Sequence, residues 1–180
     1  MEKYAVLVID MLNDFIKGNL KCDRAVKVIP NIKKLLDTAH KRNIPCIYVN
    51  DAHLPEIDKE FDLWGPHAII GTWGAEVIDE LKPQPSDYII QKRRYSGFYQ
   101  TSLELLLREL KIETLIITGI LTDICVKHTA YDAYLLGYKI VIPVECVEAL
   151  NDEAQRWSLE YMKTCYRANI LSLKDLLEKL

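Results

Sequence analysis

Cys125 is the residue in this chain best suited to act as a nucleophile. It follows residues 119–124 (Gly-Ile-Leu-Thr-Asp-Ile), which are typical of the turn between a buried strand and a helix. A helix N-terminus stabilises a thiolate through its dipole and its free backbone N–H groups, and the same groups can bind an oxyanion. The alternative is a buried structural cysteine, which is what we expect of the other four, Cys22, Cys46, Cys146 and Cys165.

Asp10 and Lys92 each close an apolar run that is typical of a buried strand. An acid in this position commonly orients a nucleophile or binds a metal, and the chain has neither a GxxxxGK[ST] loop nor a GxGxxG loop to indicate a phosphate site. An ammonium group at Lys92 would lower the pKa of a neighbouring thiol and stabilise developing negative charge. We expect the adjacent Arg93 and Arg94 to be solvated.

Asp51, His53 and His67 are candidate metal ligands. The two-residue step from Asp51 to His53 points both side chains the same way in an extended segment, and His67 follows a Trp-Gly-Pro turn. One acid with two imidazoles leaves coordination positions open for water or substrate, which is typical of a catalytic zinc or iron site. The alternative is a hydrogen-bonded loop without a metal.

His128 offers a competing assignment for the catalytic base. It lies three residues after Cys125, about one helical turn away, and a Cys–His pair is a general nucleophile–base arrangement. The same spacing is compatible with a histidine that has only a structural role in a helix, and we favour that interpretation.

These residues are positioned by a regular alternation of strands and helices. Short apolar runs rich in Val and Ile predict strands buried on both faces, at residues 4–9, 45–49, 88–90, 114–118, 139–142 and 169–171. Helical periodicity predicts helices near residues 25–41, 75–81, 101–110, 124–136, 153–166 and 173–179, with Gly137 ending the fourth. The alternation predicts an α/β fold, a doubly wound and mostly parallel six-stranded sheet with helices on both faces.

Residues 50–74 form the one long irregular segment of the predicted fold. The segment holds two of the four histidines and two of the three tryptophans, and loops of this length in a compact domain are usually functional. In open α/β sheets, ligands bind beyond the carboxyl ends of the strands. The sequence therefore predicts that Asp10, Asp51, His53, Lys92 and Cys125 face one region.

The composition limits the class of protein. With 180 residues, 49% of them apolar, the chain fits a single domain over residues 1–180. The 23 basic and 26 acidic residues give a net charge of −3, which argues against nucleic-acid binding, and no apolar run is long enough to cross a membrane. Five cysteines without a CxxC pair, and no recognisable signal peptide, lead us to expect reduced thiols and a cytoplasmic location.

Five segments resemble the cysteine hydrolases of the isochorismatase-like superfamily, which includes nicotinamidases and N-carbamoylsarcosine amidohydrolases. The segments are residues 8–15 (Val-Ile-Asp-Met-Leu-Asn-Asp-Phe), 50–53 (Asn-Asp-Ala-His), 64–67 (Trp-Gly-Pro-His), 92–98 (Lys-Arg-Arg-Tyr-Ser-Gly-Phe) and 119–126 (Gly-Ile-Leu-Thr-Asp-Ile-Cys-Val). The resemblance covers essentially the whole chain, and the last two segments are the most specific. It implies the isochorismatase-like, Rossmann-like fold of that superfamily.

The resemblance implies a catalytic triad of Asp10, Lys92 and Cys125. It also implies an oxyanion hole made by the backbone N–H groups of Leu121 and Cys125, shaped by a non-proline cis peptide between Ile120 and Leu121. Members that hydrolyse isochorismate lack the cysteine, so the resemblance disfavours that activity here.

The resemblance also implies a metal and a ring-binding pair. Nicotinamidases bind a divalent metal through an Asp-x-His pair and a later His, which match Asp51, His53 and His67, and we expect zinc. An aromatic pair that flanks the nicotinamide ring would match Phe15 and Trp64. No organic cofactor is expected, and the relatives suggest a homo-oligomer.

The expected activity is hydrolysis of a small amide through a thioester, with release of ammonia and with nicotinamide slightly favoured as the substrate. The alternative is an N-carbamoyl substrate, because residues 54–61 and 71–74 differ from the usual nicotinamidase loops and because Arg93 or Arg94 could pair with a carboxylate. More remote alternatives are a non-catalytic binding member of the fold and a thiol-redox protein that uses Cys125.

Overall fold

One parallel sheet forms the centre of the molecule, which the computed structural model describes over residues 2–180. The strands are β1 (Tyr4–Ile9), β2 (Cys46–Asp51), β3 (Tyr88–Lys92), β4 (Thr114–Ile120), β5 (Lys139–Pro143), β6 (Val147–Glu148) and β7 (Asn169–Leu171). Their order is β3-β2-β1-β4-β5-β7, with β6 pairing on β4 beyond the end of β5, and every pairing is parallel. The prediction of a doubly wound parallel sheet is confirmed, and all six predicted strands are present.

Helices cover both faces of the sheet, as predicted. They are α1 (Asn13–Ile16), α2 (Ile29–Lys41), α3 (Phe61–Trp64), α4 (Leu103–Glu109), α5 (Lys127–Leu135), α6 (Asp152–Cys165) and α7 (Leu173–Lys179). Helices α2 and α7 pack on one face through Leu35 and Leu176, whereas α4, α5 and α6 pack on the other through Leu107, Ala130 and Met162. None of the helices in the described residues is long and apolar enough to cross a membrane.

The central strands are buried on both faces, which explains their nearly continuous apolar sequences. Along β1, Leu7 and Ile9 belong to the core beneath α4 and α5, whereas Val6 and Val8 belong to the core beneath α2. Strand β4 is buried over its whole length. This burial fixes the register of the sheet, because a slip of one residue would exchange the two cores.

The structure corrects several element boundaries. The sheet has a seventh strand, β6, whose two residues are too few to produce a periodic pattern. Residues 75–81 do not form the predicted continuous helix, because the Ile78 N–H donates to the Met11 carbonyl and Val77 bridges Leu12. Within this range only a short 3₁₀ turn (Asp79–Leu81) and the end of another (Trp73–Ala75) are helical. The predicted helix over 25–41 divides into a 3₁₀ segment (Asp23–Val28) and α2.

Candidate active site

Asp10, Lys92 and Cys125 meet at the carboxyl edge of the sheet. Asp10 follows β1, Lys92 ends β3, and Cys125 lies in a π-helical turn (Thr122–Val126) that joins β4 to α5. The Lys92 Nζ atom lies 2.8 Å from Asp10 Oδ2 and 3.6 Å from Cys125 Sγ. Carboxylate oxygens of Asp10 and Asp51 and the Sγ atom all lie within 4.8 Å of one another. An acid, an ammonium group and a thiol therefore share one small buried volume.

Lys92 neutralises two buried carboxylates. Its Nζ atom also lies 2.6 Å from Asp51 Oδ1, and the Asp51 N–H donates to Asp10 Oδ1 at 2.8 Å. Burial acts to lower the pKa of Lys92, but Asp10 and Asp51 outweigh it and hold this pKa well above its usual value. Burial likewise acts to raise the pKa of Asp51, but Lys92 and His53 hold it below its usual value. Lys92 is therefore a fixed positive charge at the centre of the cluster.

Burial favours the neutral form of the Cys125 thiol, against the expectation that Lys92 and a helix N-terminus would lower its pKa. Burial raises its pKa well above the usual value, and the carboxylates of Asp10 and Asp51 oppose the influence of Lys92. Burial, followed by repulsion from Asp51, also raises the pKa of Asp10 to about 6. Asp10 Oδ2 accepts no aligned hydrogen bond from residues 2–180, so it can still accept a proton. Asp10 is thus the group placed to take the thiol proton, although the two pKa values keep that proton on the sulfur in the resting protein.

Strand β4, which leads into the turn that carries Cys125, approaches β1 closely at Gly119. Gly119 has a φ of +102°, and a Cβ atom there would collide with the backbone of Ile9. The next peptide, between Ile120 and Leu121, is cis, as the resemblance implies. The Leu121 carbonyl accepts the N–H groups of Ile124 and Val126 at 3.0 and 3.1 Å, on either side of Cys125. The close approach brings this turn against the residue that follows β1, which is Asp10.

The long segment after β2 folds back so that His53 and His67 become neighbours. His53 N–H donates to the Ala68 carbonyl at 2.9 Å, Ile70 N–H donates to the His53 carbonyl at 3.0 Å, and the two imidazole centroids lie 4.6 Å apart. Ligand atoms of Asp51, His53, His67 and also Glu60 lie within 4.8 Å of one another.

The environment of His53 suits a divalent cation. Its Nδ1 lies 3.1 Å from Asp58, and its Nε2 lies 3.5 Å from Asp51 Oδ2 and 3.8 Å from Glu60 Oε2. The Nε2 atom is fully buried and has no hydrogen-bond partner in the described chain. An imidazole lone pair that faces two carboxylates is stabilised by a positive charge between them. His67 completes this arrangement, because its Nδ1 bonds the Gly65 carbonyl at 2.7 Å and leaves Nε2 available.

The pKa values of His67, Glu60 and His53 are all shifted by burial and by neighbouring charges in this cluster. Burial lowers the pKa of His67, and His53 lowers it further. Burial and the Asp51 charge raise the pKa of Glu60 to about 7. Burial opposes the ionised form of His53, but Asp51, Asp58 and Glu60 hold its pKa above the usual value. The cluster thus carries an excess of acceptor groups, which a bound cation would balance.

Asp58 lies 3.1 Å from His53 Nδ1, within ion-pair distance, and it also pairs with both arginines. Arg93 Nε and Arg94 Nη1 lie 2.8 and 2.7 Å from its two oxygens. Burial alone would raise the pKa of Asp58, but Arg93, Arg94 and His53 hold it well below its usual value. The expectation that both arginines are simply solvated is therefore wrong: each is partly exposed but tied to a buried carboxylate.

A cavity of about 100 Å³ opens onto the thiol. Phe15 and Trp64, the two predicted ring-binding residues, both line it. Tyr95 also lines it and accepts a hydrogen bond from Trp64 Nε1 at 3.0 Å. His128 does not line this cavity: it is exposed, and its Nδ1 bonds the Ile124 carbonyl at 2.7 Å. The geometry thus favours Asp10 over His128 as the partner of Cys125.

Glu60, Asp58 and Tyr95 are the site residues that sequence reasoning missed. Tyr95 stands within the specific segment 92–98, which could have pointed to it. Glu60 and Asp58 lie in the part of the loop that departs from the usual nicotinamidase pattern. Nothing in the spacing of these two acids distinguishes them from solvated loop residues.

A parallel α/β sheet with a buried acid, lysine and cysteine at its carboxyl edge defines a class of cysteine hydrolases. The sequence model of the Isochorismatase domain family matches residues 4–175. The chain belongs to the isochorismatase family of hydrolases, within the isochorismatase-like cysteine hydrolase superfamily.

Three relatives illustrate the range of the family. The structure of N-carbamoylsarcosine amidase from Thermoplasma acidophilum is 38% identical, covers 95% of this chain and 96% of its own, and superimposes with a TM-score of 0.89. The nicotinamidase/pyrazinamidase PncA from Bacillus subtilis is 35% identical, with coverages of 94% and 100% and a TM-score of 0.89. The ureidoacrylate amidohydrolase RutB from Acinetobacter baylyi is 31% identical over 92% of this chain and 79% of its own.

Proposed function

We propose that this protein hydrolyses the C–N bond of a small amide through a thioester on Cys125. The observation that carries the proposal is the contact geometry of Lys92, whose Nζ lies 2.8 Å from Asp10 and 3.6 Å from the Cys125 sulfur. Asp10 and Cys125 line a cavity that also has Phe15, Trp64 and several aliphatic side chains in its wall, and Lys92 contacts both of them from behind. A base, a nucleophile and a fixed cation around one open volume are the requirements for amide hydrolysis.

The first half of the reaction forms the thioester. Asp10 Oδ2 takes the thiol proton, and Sγ attacks the substrate carbonyl carbon. Lys92 stabilises the negative charge while it moves from carboxylate to sulfur, and the backbone N–H groups of Leu121 and Cys125 bind the oxyanion. Asp10 then returns the proton to the amide nitrogen, the C–N bond breaks, and ammonia leaves.

The second half releases the acid. Asp10 takes a proton from water as the water oxygen attacks the thioester carbon, and the same N–H groups bind the second oxyanion. The C–S bond breaks, and Asp10 returns its proton to the sulfur. The net reaction converts an amide and water into a carboxylic acid and ammonia, and Cys125 is restored as the thiol.

Asp51, His53 and His67, with Glu60, would hold a divalent metal, for which zinc fits the ligand set. When bound, this ion would orient the substrate or a water molecule and polarise it as a Lewis acid. Asp58 fixes the orientation of the His53 ring, as carboxylates behind metal-ligating histidines commonly do. Asp51 also contacts Lys92, so it connects the two clusters.

We propose nicotinamide as the substrate. Phe15 and Trp64 line the cavity with flat apolar surfaces, and Tyr95 holds the Trp64 indole by its N–H group. Arg93 and Arg94 are both committed to Asp58, so neither is free to pair with a substrate carboxylate. The arrangement therefore favours a neutral planar amide over an anionic one.

The test is ammonia release from nicotinamide and from N-carbamoylsarcosine, measured as kcat/KM. We expect nicotinamide to be preferred and Trp64→Ala to lower its kcat/KM about tenfold, because ring stacking contributes ~0.5–1.5 kcal/mol beyond area burial. His128→Ala, outside the cavity, serves as the matched control. Absent nicotinamide turnover, or turnover indifferent to the loss of Trp64, would overturn the substrate assignment.

The second candidate is an N-carbamoyl substrate. It is favoured by the likeness to N-carbamoylsarcosine amidase and by Lys21, which lines the cavity. Lys21 pairs with the largely exposed Asp23 carboxylate at 2.6 Å, and a substrate carboxylate would replace that partner. Lys21→Met would then abolish most of the activity toward N-carbamoylsarcosine. If nicotinamide is the substrate, the same variant leaves its turnover nearly unchanged, since the ring carries no charge.

A further inference from the structure

A second cluster of metal-ligating side chains lies at the opposite edge of the sheet. Cys46 begins β2, Asp87 immediately precedes β3, and His40 lies in the last turn of α2. A ring nitrogen of His40, the sulfur of Cys46 and a carboxylate oxygen of Asp87 all lie within 4.8 Å of one another. None of the three lines the cavity beside Cys125, so they take no part in the proposed reaction.

The sheet register brings two of these residues together. Ile47 pairs with Tyr88 across β2 and β3, which places Cys46 beside Asp87, one residue earlier on each strand. In parallel strands, neighbours at the same register share a face of the sheet. Cys46 belongs to the core beneath α2, and the His40 ring reaches the same point from the end of that helix.

The donor atoms are arranged around a common point. The Asp87 carboxylate is held by the Gln84 N–H, which donates to Oδ2 at 2.8 Å, and its Oδ1 lies 2.8 Å from His40 Nε2. His40 Nδ1 is buried and has no hydrogen-bond partner among residues 2–180. Burial, assisted by the Asp87 charge, raises the pKa of Cys46 to about 12, and its Sγ lies 3.6 Å from the Ile44 carbonyl oxygen.

We propose that Cys46, His40 and Asp87 bind one zinc ion, with solvent as the fourth ligand. A thiolate, an imidazole and a carboxylate are the three protein ligand types of zinc. Ligand atoms ~2.0–2.3 Å from a tetrahedral ion lie roughly 3.3–3.8 Å apart, so separations of up to 4.8 Å need to contract by up to about 1.5 Å. Binding replaces the thiol proton, which passes to solvent, with a Zn–S bond. The ion would tie the end of α2 to the starts of β2 and β3.

The test uses Co²⁺ as a spectroscopic probe for zinc. Thiolate ligation to Co²⁺ produces a near-ultraviolet charge-transfer band, and the Asp51–His53–Glu60–His67 cluster contains no sulfur that could produce one. The titration is run on the wild type and on Cys125→Ala, which removes the thiol nearest that cluster. We expect one thiolate-to-Co²⁺ band in both proteins, corresponding to one sulfur-ligated ion per chain. The band should saturate by two equivalents, because the carboxyl-end cluster takes up the other ion, and Zn²⁺ should displace it.

Single substitutions test which residues bind the Co²⁺ ion that produces the band. Cys46→Ser should abolish it, and Cys146→Ser should leave it unchanged, because Cys146 is equally buried, has a pKa also raised to about 12, and belongs to no ligand cluster. His40→Gln changes a partly exposed side chain without opening the core and should weaken Co²⁺ binding at least tenfold. A wild-type titration without a band, or a band that survives Cys46→Ser, would overturn the proposal. Neither result bears on amide hydrolysis.

Discussion

Strands β2 and β3 carry a buried polar cluster at each end, and the two clusters behave differently. At the carboxyl end, Asp51 and Lys92 face each other, and Asp10 and Cys125 join them from the neighbouring strands. At the amino end, Cys46 and Asp87 occupy the equivalent register beside a single histidine. Both thiols are buried and both have raised pKa values.

The difference lies in charge and access. Cys125 has an ammonium group 3.6 Å from its sulfur and a cavity in front of it, whereas Cys46 has neither. A parallel sheet directs its long functional loops to the carboxyl ends of the strands, so only that end collects a substrate pocket. A fixed cation and an opening beside the sulfur are therefore the two features that single out Cys125, rather than Cys46, as the nucleophile that we propose.

The largest expected effect separates the two thiols. Cys125→Ala should lower kcat/KM for amide hydrolysis by roughly 10⁴-fold or more, as loss of a covalent nucleophile generally does. Cys46→Ala, an equally small change in an equally buried residue, should leave kcat/KM within about threefold of the wild type, because Cys46 lies outside the cavity. Comparable losses in both variants would contradict the distinction.

Lys92 should contribute more to the free energy of unfolding than the His40–Asp87 pair at the amino ends of β2 and β3. Lys92→Met leaves two buried carboxylates without a counter-ion, and we expect the free energy of unfolding to fall by about 3–5 kcal/mol. Asp87→Asn breaks one hydrogen bond to a partly exposed histidine and should cost about 1–2 kcal/mol. Urea unfolding followed by circular dichroism measures both, and a reversed order would show that Lys92 is not the charge that holds the carboxyl end together.

The zinc content of variants should distinguish a residue that binds the metal from one that only orients a metal ligand. His53→Ala should reduce the zinc bound at the carboxyl end to background, measured by atomic spectrometry in a Cys46→Ser background that removes the second cluster's thiol. Asp58→Asn should lower the affinity only about 10–100-fold, because it disturbs the orientation of His53 rather than a ligand. The control in the same background is His128→Ala, which leaves the carboxyl-end cluster intact. Retention of full zinc by His53→Ala would contradict the ligand assignment.

The smallest effect concerns the wall of the cavity. Tyr95→Phe removes the hydroxyl that accepts the Trp64 indole hydrogen bond. We expect kcat/KM to fall about two- to tenfold, mainly through KM, since one neutral hydrogen bond contributes ~0.5–1.5 kcal/mol. Tyr99→Phe, an exposed tyrosine outside this cavity, is the control. A fall in kcat alone would indicate that Tyr95 acts on the chemistry instead.

The sequence alone determined the sheet and the residues at its strand ends. Strands buried on both faces need continuous apolar runs, so the local sequence is enough to predict where they lie. The parallel topology then places Asp10, Asp51, Lys92 and Cys125 at one edge of the sheet. The predicted helix over residues 173–179 is also observed, because Ser172 caps it by accepting the Asp175 N–H. Such caps and periodicities depend only on residues close together in the chain.

Only the tertiary structure decided how these groups act on one another. Burial, and after it the carboxylates of Asp10 and Asp51, raise the pKa of Cys125. The ion pairs of Arg93 and Arg94 with Asp58 depend on a loop more than thirty residues away in sequence. Glu60 joins His53 and His67 for the same reason, and residues 75–81 lose their helix to contacts with Met11 and Leu12. The burial of a side chain and the electrostatic field around it depend on many residues that are distant in the chain. No local sequence pattern can therefore predict them.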